Sequence, residues 1–131
     1  RRQKFRGALG TTVLKVFDLA VGRTGLNLAE AAAEGIPTVS VRVEALDRAG
    51  YRADAKKIGV KLIADRSSRR VIGAQAVGYG DVSKRIDVAA TAMMASATVD
   101  AITELDLGYT PPYSSLWDPL HVAAQALLKK L

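Results

Sequence analysis

The chain has 131 residues, the length of one domain, and we expect residues 1–131 to form a single domain with its own core. Its lack of cysteine excludes disulfides, thiolate metal sites and cysteine nucleophiles from this chain, whose 49% hydrophobic and 24% charged residues are ordinary for a globular protein. The formal charge of +6 comes from basic residues that alternate with acidic ones, so we expect no nucleic-acid partner.

The first part of the chain predicts strands interrupted by one short helix. Residues 11–26 are rich in β-branched and apolar side chains, which predicts one or two strands covered on both faces and ending at a glycine-bounded turn, residues 22–26. Residues 27–35 begin with an asparagine and a glutamate spaced as a capping box, so they predict a short helix. Residues 36–46 alternate apolar with polar side chains and predict a strand with one solvated face.

The middle of the chain predicts a hairpin. Residues 57–78 contain two apolar stretches on either side of turn-forming residues, the pattern of two antiparallel strands. The turn carries three arginines, Arg66, Arg69 and Arg70, which we expect to be solvated and to discourage pairing at the edge of the sheet.

From Asp81 onward the apolar residues recur at helical spacing. Residues 81–97 predict a helix that Asp81 caps and that buries Met94 with the rest of its apolar face. Residues 98–105 predict a second short helix, and a third begins near Asp118 with proline in its first turn.

This order of strand, helix, strands and three helices predicts an α+β fold of two layers. An antiparallel sheet of three to five strands would carry the helices packed on it. Because the strands follow one another without crossover helices, a doubly wound nucleotide-binding sheet is disfavoured. No apolar run reaches the roughly 20 residues that span a bilayer, so we expect no membrane partner and a cytoplasmic location.

The residue types offer little for catalysis by themselves. His121 is the only histidine and is expected to be packed or solvated, and the scattered carboxylates predict no metal site. Residues 109–119 hold three of the four prolines and two of the four tyrosines, an unusual content for a helix connection. The residues alone therefore indicate an accessory or interface domain.

Three segments resemble the C-terminal dimerisation domain of the flavin-dependent pyridine nucleotide-disulfide oxidoreductases. Their most specific parts are KVFDLAVGRTGL, KRIDV and LGYTPPYSS, and the resemblance is strongest to the branch that contains coenzyme A-disulfide reductase and the NADH oxidases and peroxidases. The resemblance implies that the chain is a fragment of a larger enzyme whose upstream domains bind FAD and NAD(P)H and carry the redox cysteine. The fragment alone is then expected to bind neither cofactor and to be inactive.

The resemblance also implies a homodimer in which this domain completes the active site of the other subunit. Tyr51 and Tyr109 look like the two tyrosines that reach across the dimer in coenzyme A-disulfide reductase. In that role they would be catalytic residues that orient a disulfide and donate hydrogen bonds to the thiolate leaving group. Thr110 and Pro111 would border the FAD of the partner.

Two departures from the family leave the substrate open. The connector lacks the histidine-glutamate pair of the glutathione and lipoamide reductase branch, and RADA follows Tyr51 where coenzyme A-disulfide reductases often have a second tyrosine and a Pro-Gly. The acceptor is therefore expected to be a disulfide such as coenzyme A disulfide, a persulfide, oxygen or a peroxide. The alternative from another class is a stand-alone protein- or nucleotide-binding module without enzymatic activity.

Overall fold

The computed structural model describes residues 3–131, so the first two residues of the expected 1–131 domain lie outside the described part. The described elements are, in chain order, β1 (Thr12–Val16), β2 (Leu19–Gly25), α1 (Leu28–Ala33), β3 (Thr38–Leu46), β4 (Lys57–Asp65), β5 (Val71–Gly78), α2 (Ser83–Met94), α3 (Val99–Thr103) and α4 (Pro119–Leu128). They confirm the predicted α+β fold.

The five strands form one antiparallel sheet in the order β1-β2-β5-β4-β3. Helix α2 packs on β2 and β5, and α4 packs on β3 and β4. Residues that pair across neighbouring strands share a face, so Gly22, Ala76 and Val60 lie together beneath the helices. The core between the two layers includes Leu62, Ile86, Ile102, Leu120 and Leu127, all fully buried.

The opposite face of the sheet lies away from α2 and α4, and we call its exposed part, over β1, β2 and the adjoining half of β5, the open face. Ile63 of β4, on the same side of the sheet, is fully buried. The open face includes Leu14, Val21 and Val77, whose register positions pair with one another across three strands. A shallow depression of about 500 Å³ lies there, with Arg42 and Lys61 also lining it. The open face therefore combines an apolar part with a basic part.

The expectation that residues 11–26 are covered on both faces is wrong for β1. All five residues of β1 are exposed, because β1 is the edge strand and pairs only with β2. The apolar residues are present in the strand as predicted, but within the described residues 3–131 β1 stays exposed.

The glycine-bounded turn expected at residues 22–26 is also wrong, because β2 continues to Gly25. The chain reverses earlier, at Phe17, which adopts a φ of 52°. Gly22 has a packing role within the strand: a Cβ there would lie 2.7 Å from Cγ1 of Ile86, so the missing side chain lets α2 lie close to β2.

The helix predicted over residues 81–97 is shorter than expected. It ends at Met94, whose side chain is exposed rather than buried, and Val82 occupies the N-cap position. The Asp81 carboxylate nevertheless accepts a hydrogen bond from the Lys84 backbone N–H, at 3.3 Å. Within residues 3–131 we find no helix with the length and apolar character needed to cross a membrane.

One arginine of the hairpin turn is not simply solvated. The Arg69 guanidinium donates two hydrogen bonds to the Asp100 carboxylate, at 2.9 and 3.0 Å, and so joins the turn to the first turn of α3. Arg66 and Arg70 are exposed as expected.

Candidate functional site

Two segments without helix or strand structure meet at one end of the sheet. Residues 47–56 connect β3 to β4, and residues 104–118 connect α3 to α4. The backbone N–H of Ala49 donates to the carbonyl oxygen of Pro111, at 3.3 Å. Each of these residues is two positions from a tyrosine that the sequence singles out, so the fold brings both tyrosine-bearing segments together. We call the two segments the tyrosine end.

The aromatic side chains of the tyrosine end are exposed. The accessible fraction is 80% for Tyr51 and 51% for Tyr109. The connector adds further exposed apolar side chains, namely Tyr113, Leu116 and Trp117. Clustered exposed apolar groups of this kind mark surfaces that meet another molecule.

The base of the 47–56 loop is closed by the buried side chain of Asp47. Its Oδ1 accepts from the Lys56 backbone N–H at 2.9 Å, and its Oδ2 accepts from the Asp81 backbone N–H at 3.1 Å and from the Arg48 guanidinium at 2.9 Å. Burial by itself would raise the pKa of Asp47, but these hydrogen bonds outweigh it and lower that pKa. Asp47 is therefore an ionised carboxylate that holds three parts of the chain.

Gly80 leaves the space that this carboxylate occupies. A Cβ at Gly80 would lie 2.6 Å from the carboxyl carbon of Asp47. The approach of the backbone to Asp47 therefore depends on glycine at this position.

The loop above this base is held by an ion-pair cluster. Arg48 and Arg52 both donate to the Asp54 carboxylate, each at 2.9 Å, and the hydrogen bond from Arg52 is the main cause that lowers the pKa of Asp54. The backbone N–H of Arg52 also donates to the Ala49 carbonyl oxygen, at 3.0 Å. The RADA sequence after Tyr51 thus supplies Arg52 and Asp54 of this cluster, and Arg48 completes it.

Arg85 is the buried centre that links the loop to the connector. It is only 1% exposed, and its Nη2 donates to the Asp47 carbonyl oxygen at 2.7 Å and lies 2.9 Å from Oδ2 of Asp118. Its Nη1 donates to the Asp81 carbonyl oxygen, at 2.9 Å. The burial of Arg85 was not predicted, although its position beside Ile86 on the apolar stripe of α2 was a signal for a buried and partnered charge.

The connector is held from the other side of the same network. The Asp118 carboxylate caps α4 by accepting from the Leu120 backbone N–H at 2.9 Å, and it accepts from the Ser114 hydroxyl at 3.3 Å. The backbone N–H groups of Tyr113 and Ser114 donate to the Thr110 carbonyl oxygen, at 2.9 and 3.0 Å. This turn leaves Thr110 exposed and Pro111 half-buried, so an outside group can reach both.

His121, expected to be packed or solvated, is packed. It is 7% exposed, its Nε2 lies 2.9 Å from the Leu105 carbonyl oxygen, and its ring meets the edge of Trp117 with the centroids 6.1 Å apart. It therefore braces the connector. Across the described residues, no three or more His, Cys, Asp or Glu side chains are grouped so that they could hold a metal ion.

Comparison with known proteins gives a family for this arrangement. The family model described as the pyridine nucleotide-disulphide oxidoreductase dimerisation domain matches residues 11–120. An NAD(P)H sulfur oxidoreductase (CoA-dependent) from Pyrococcus abyssi is 41% identical over 123 residues, which are 94% of this chain and 27% of that protein. A coenzyme A disulfide reductase from Staphylococcus haemolyticus is 34% identical over 110 residues, 84% of this chain and 24% of that protein.

A solved structure agrees with these sequence matches. An NAD-dependent persulfide reductase from A. fulgidus is 42% identical and superposes with a TM-score of 0.96, covering 99% of this chain and 24% of that one. The chain thus spans about a quarter of the length of the proteins it matches.

Proposed function

Because the chain belongs to the dimerisation-domain family of the pyridine nucleotide-disulphide oxidoreductases, we propose that it completes the active site of the partner subunit in a homodimeric flavoenzyme. The parent enzyme would use FAD and NAD(P)H, bound by domains upstream of this chain. The alternative of a stand-alone binding module is not favoured, since the family match extends over residues 11–120. We also propose a cytoplasmic location, which fractionation of cells producing the tagged full-length enzyme tests.

The observation that carries this proposal is the exposure of Tyr51 and Tyr109 on two segments that the fold holds together. Each segment is fixed by buried or ionic contacts. Its tyrosine side chain is nevertheless exposed and does not contribute to the core. A surface of exposed aromatic groups on segments held together by the fold suits contact with a partner subunit and its substrate.

The proposed substrate contains a sulfur–sulfur bond. The names of the relatives, a CoA-dependent sulfur oxidoreductase, a persulfide reductase and a coenzyme A disulfide reductase, support this class and a coenzyme A moiety in it. The balanced reaction for a disulfide is R–S–S–R plus NAD(P)H and a proton giving two R–SH and NAD(P)⁺. Oxygen and peroxide are the competing acceptors, and parallel assays with each acceptor distinguish them.

In this reaction the tyrosines act on the leaving sulfur. A phenol hydroxyl of Tyr51 or Tyr109 donates a hydrogen bond to the sulfur on which negative charge develops, which lowers the barrier to cleavage of the bond. Thr110 and Pro111 would border the FAD of the partner, a placement that the exposure of Thr110 and the half-buried position of Pro111 support. Bound by the upstream domains, FAD would relay the two electrons of NAD(P)H toward the sulfur–sulfur bond.

The test is Tyr109→Phe in the full-length enzyme, with Tyr51→Phe beside it. We expect turnover of the disulfide to fall by about 10-fold to 100-fold for Tyr109→Phe, since a hydrogen bond to a charged group contributes about 1.5–3 kcal/mol. Flavin content and dimer mass should not change. Tyr113→Phe is the matched control, because it removes a hydroxyl from an exposed tyrosine of the same connector and should leave turnover unchanged.

Unaltered turnover in both Tyr51→Phe and Tyr109→Phe would rule out the catalytic role. A monomeric full-length enzyme in light scattering at micromolar concentration would rule out completion of a partner's site.

A further inference from the structure

The two segments of the tyrosine end share one buried cation. Arg85 donates from Nη2 to the carbonyl oxygen of Asp47, the first residue of the loop that carries Tyr51. The same guanidinium donates from Nε to Oδ1 of Asp118, the last residue of the connector that carries Tyr109, at 3.3 Å. One planar side chain therefore touches both segments at the ends where they join the folded core.

The link to each tyrosine consists of short steps. On the loop side, Asp47 pairs with Lys56 through two hydrogen bonds of 2.9 Å, one from each backbone N–H, which closes the loop around Tyr51. On the connector side, Asp118 accepts from Ser114, whose backbone N–H donates to the carbonyl oxygen of Thr110, the neighbour of Tyr109.

The geometry requires an arginine at this position. The guanidinium places Nε, Nη1 and Nη2 on separate acceptors in one plane, whereas the single ammonium of lysine lacks this fork. Burial of an isolated cation is costly, and here two backbone carbonyls compensate it together with the carboxylates of Asp118, at 2.9 Å, and Asp81, at 3.8 Å. Nothing at Arg85 is accessible to a substrate, since the residue is 1% exposed.

We infer that Arg85 is a positioning residue for the proposed reaction, setting the placement of Tyr51 relative to Tyr109 and hence the fit of the tyrosine pair to the substrate. This inference rests on the proposed function of the two tyrosines. It assigns to a buried side chain an effect on turnover that operates only through them.

The experiment compares Arg85→Lys with Lys84→Gln in the full-length enzyme. Lys84 precedes Arg85 on α2 and its Nζ lies 3.7 Å from the same Asp118 carboxylate, but it is partly exposed and does not reach the loop. We expect Arg85→Lys to lower kcat with the disulfide by about tenfold, and Lys84→Gln to change it by less than about twofold. Reduction of an artificial dye by NAD(P)H, which depends on the flavin but not on the tyrosines, should be unchanged in both variants.

A combined variant separates positioning from a general structural role. If Arg85 acts through the tyrosines, adding Arg85→Lys to Tyr51→Phe with Tyr109→Phe should lower kcat by no more than about a further twofold. Equal losses with disulfide and dye, additive losses in the combined variant, or a kcat for Arg85→Lys near that of the unmodified enzyme would each overturn the inference.

A second variant covers poor folding of Arg85→Lys. Arg85→Met with Asp118→Asn removes both charges together and keeps an oxygen to cap α4. It should show the same selective loss with the disulfide, and full disulfide turnover in a flavin-loaded dimer of this variant would also overturn the inference. The tyrosine variants identify which idea fails: if they lose turnover and the Arg85 variants do not, the proposed function stands and the positioning role is wrong.

Discussion

The charged side chains buried at the tyrosine end each have several partners. Asp47 accepts from two backbone N–H groups and one guanidinium, and Arg85 donates to two backbone carbonyls and one carboxylate. A buried charge that loses one partner of such a set destabilises the fold, because the remaining groups stay buried without compensation. Stability and the shape of the site therefore depend on the same residues.

Asp47→Asn tests this at neutral and at acid pH. The substitution places an amide N–H₂ or a single carbonyl oxygen among three donors, and we expect the free energy of unfolding of the 131-residue chain to fall by about 1–3 kcal/mol at pH 7. The folded-state pKa of Asp47 lies below its ordinary value, so its contribution is full above the unfolded pKa of about 4 and is lost as the pH falls through the folded pKa.

Urea unfolding at pH 7 and pH 3 measures this difference. The difference in the free energy of unfolding between the parent chain and Asp47→Asn should be smaller at pH 3 than at pH 7. Asp54→Asn is the control, since its partly exposed carboxylate lies in the same loop and should matter less. The same difference in the free energy of unfolding at both pH values would contradict a lowered pKa for Asp47 in the folded chain.

At the scale of elements, the two faces of the sheet differ in the space they leave for a side chain at a glycine position. Gly22 lies under α2, where a Cβ would meet Ile86 at 2.7 Å, whereas Gly59 lies on the opposite face, where a Cβ would meet Arg42 at 3.6 Å and nothing closer. Strand positions generally gain from a side chain unless packing forbids it. Alanine substitutions at Gly22 and Gly59 therefore compare the packing under α2 with the packing on the opposite face of the sheet.

We expect Gly22→Ala to lower the free energy of unfolding by about 1–3 kcal/mol, because the added methyl group forces α2 away from β2. Gly59→Ala should be neutral or slightly stabilising, because a methyl group at that position makes ordinary contacts and reduces the freedom of the unfolded chain. Thermal unfolding of both variants checks the contrast. Equal destabilisation would mean that the faces are assigned wrongly.

The sequence predicted those elements whose signals are local. The capping box is present, with Asn27 and Glu30 each accepting from the other's backbone N–H at 2.8 Å, and Thr98 and Asp118 cap α3 and α4 as their positions indicate. The exposure of β1 could not be predicted from the local sequence pattern, and the helical pattern of α2 signalled a buried charge at Arg85 without identifying its partners. Both depend on which elements lie alongside, since an apolar strand at an edge and one at the centre of a sheet have similar sequences.

For the molecule as a whole, the open face is an exposed apolar surface of the described residues. Leu14 is 48% exposed on the edge strand, and Val21 and Val77 lie beside it in register. Apolar side chains on an unpaired edge strand promote association with other chains. In isolation the domain should therefore associate through this surface as well as through the tyrosine end.

Leu14→Ser tests the contribution of the open face. Since Leu14 lies outside the core, the substitution should change the free energy of unfolding by less than about 0.5 kcal/mol. It should lower the binding of a hydrophobic dye and shift sedimentation of the 131-residue chain toward the monomer. Thr12→Ser, on the same strand and face, is the control and should leave both measurements unchanged. Identical sedimentation of Leu14→Ser and the parent chain would exclude association through β1.

The contacts of Arg85 also constrain the order in which the protein takes shape during synthesis. Its acceptors at Asp47 and Asp118 lie 38 residues before and 33 residues after it in the chain. A ribosome releases the chain from the N-terminus onward, so the strands can begin to pair before Asp118, whose carboxylate binds the Arg85 guanidinium, has been synthesised. The surface that carries both tyrosines is consequently completed only after Asp118 has been made, and a chain interrupted before that residue lacks the shape that another subunit recognises.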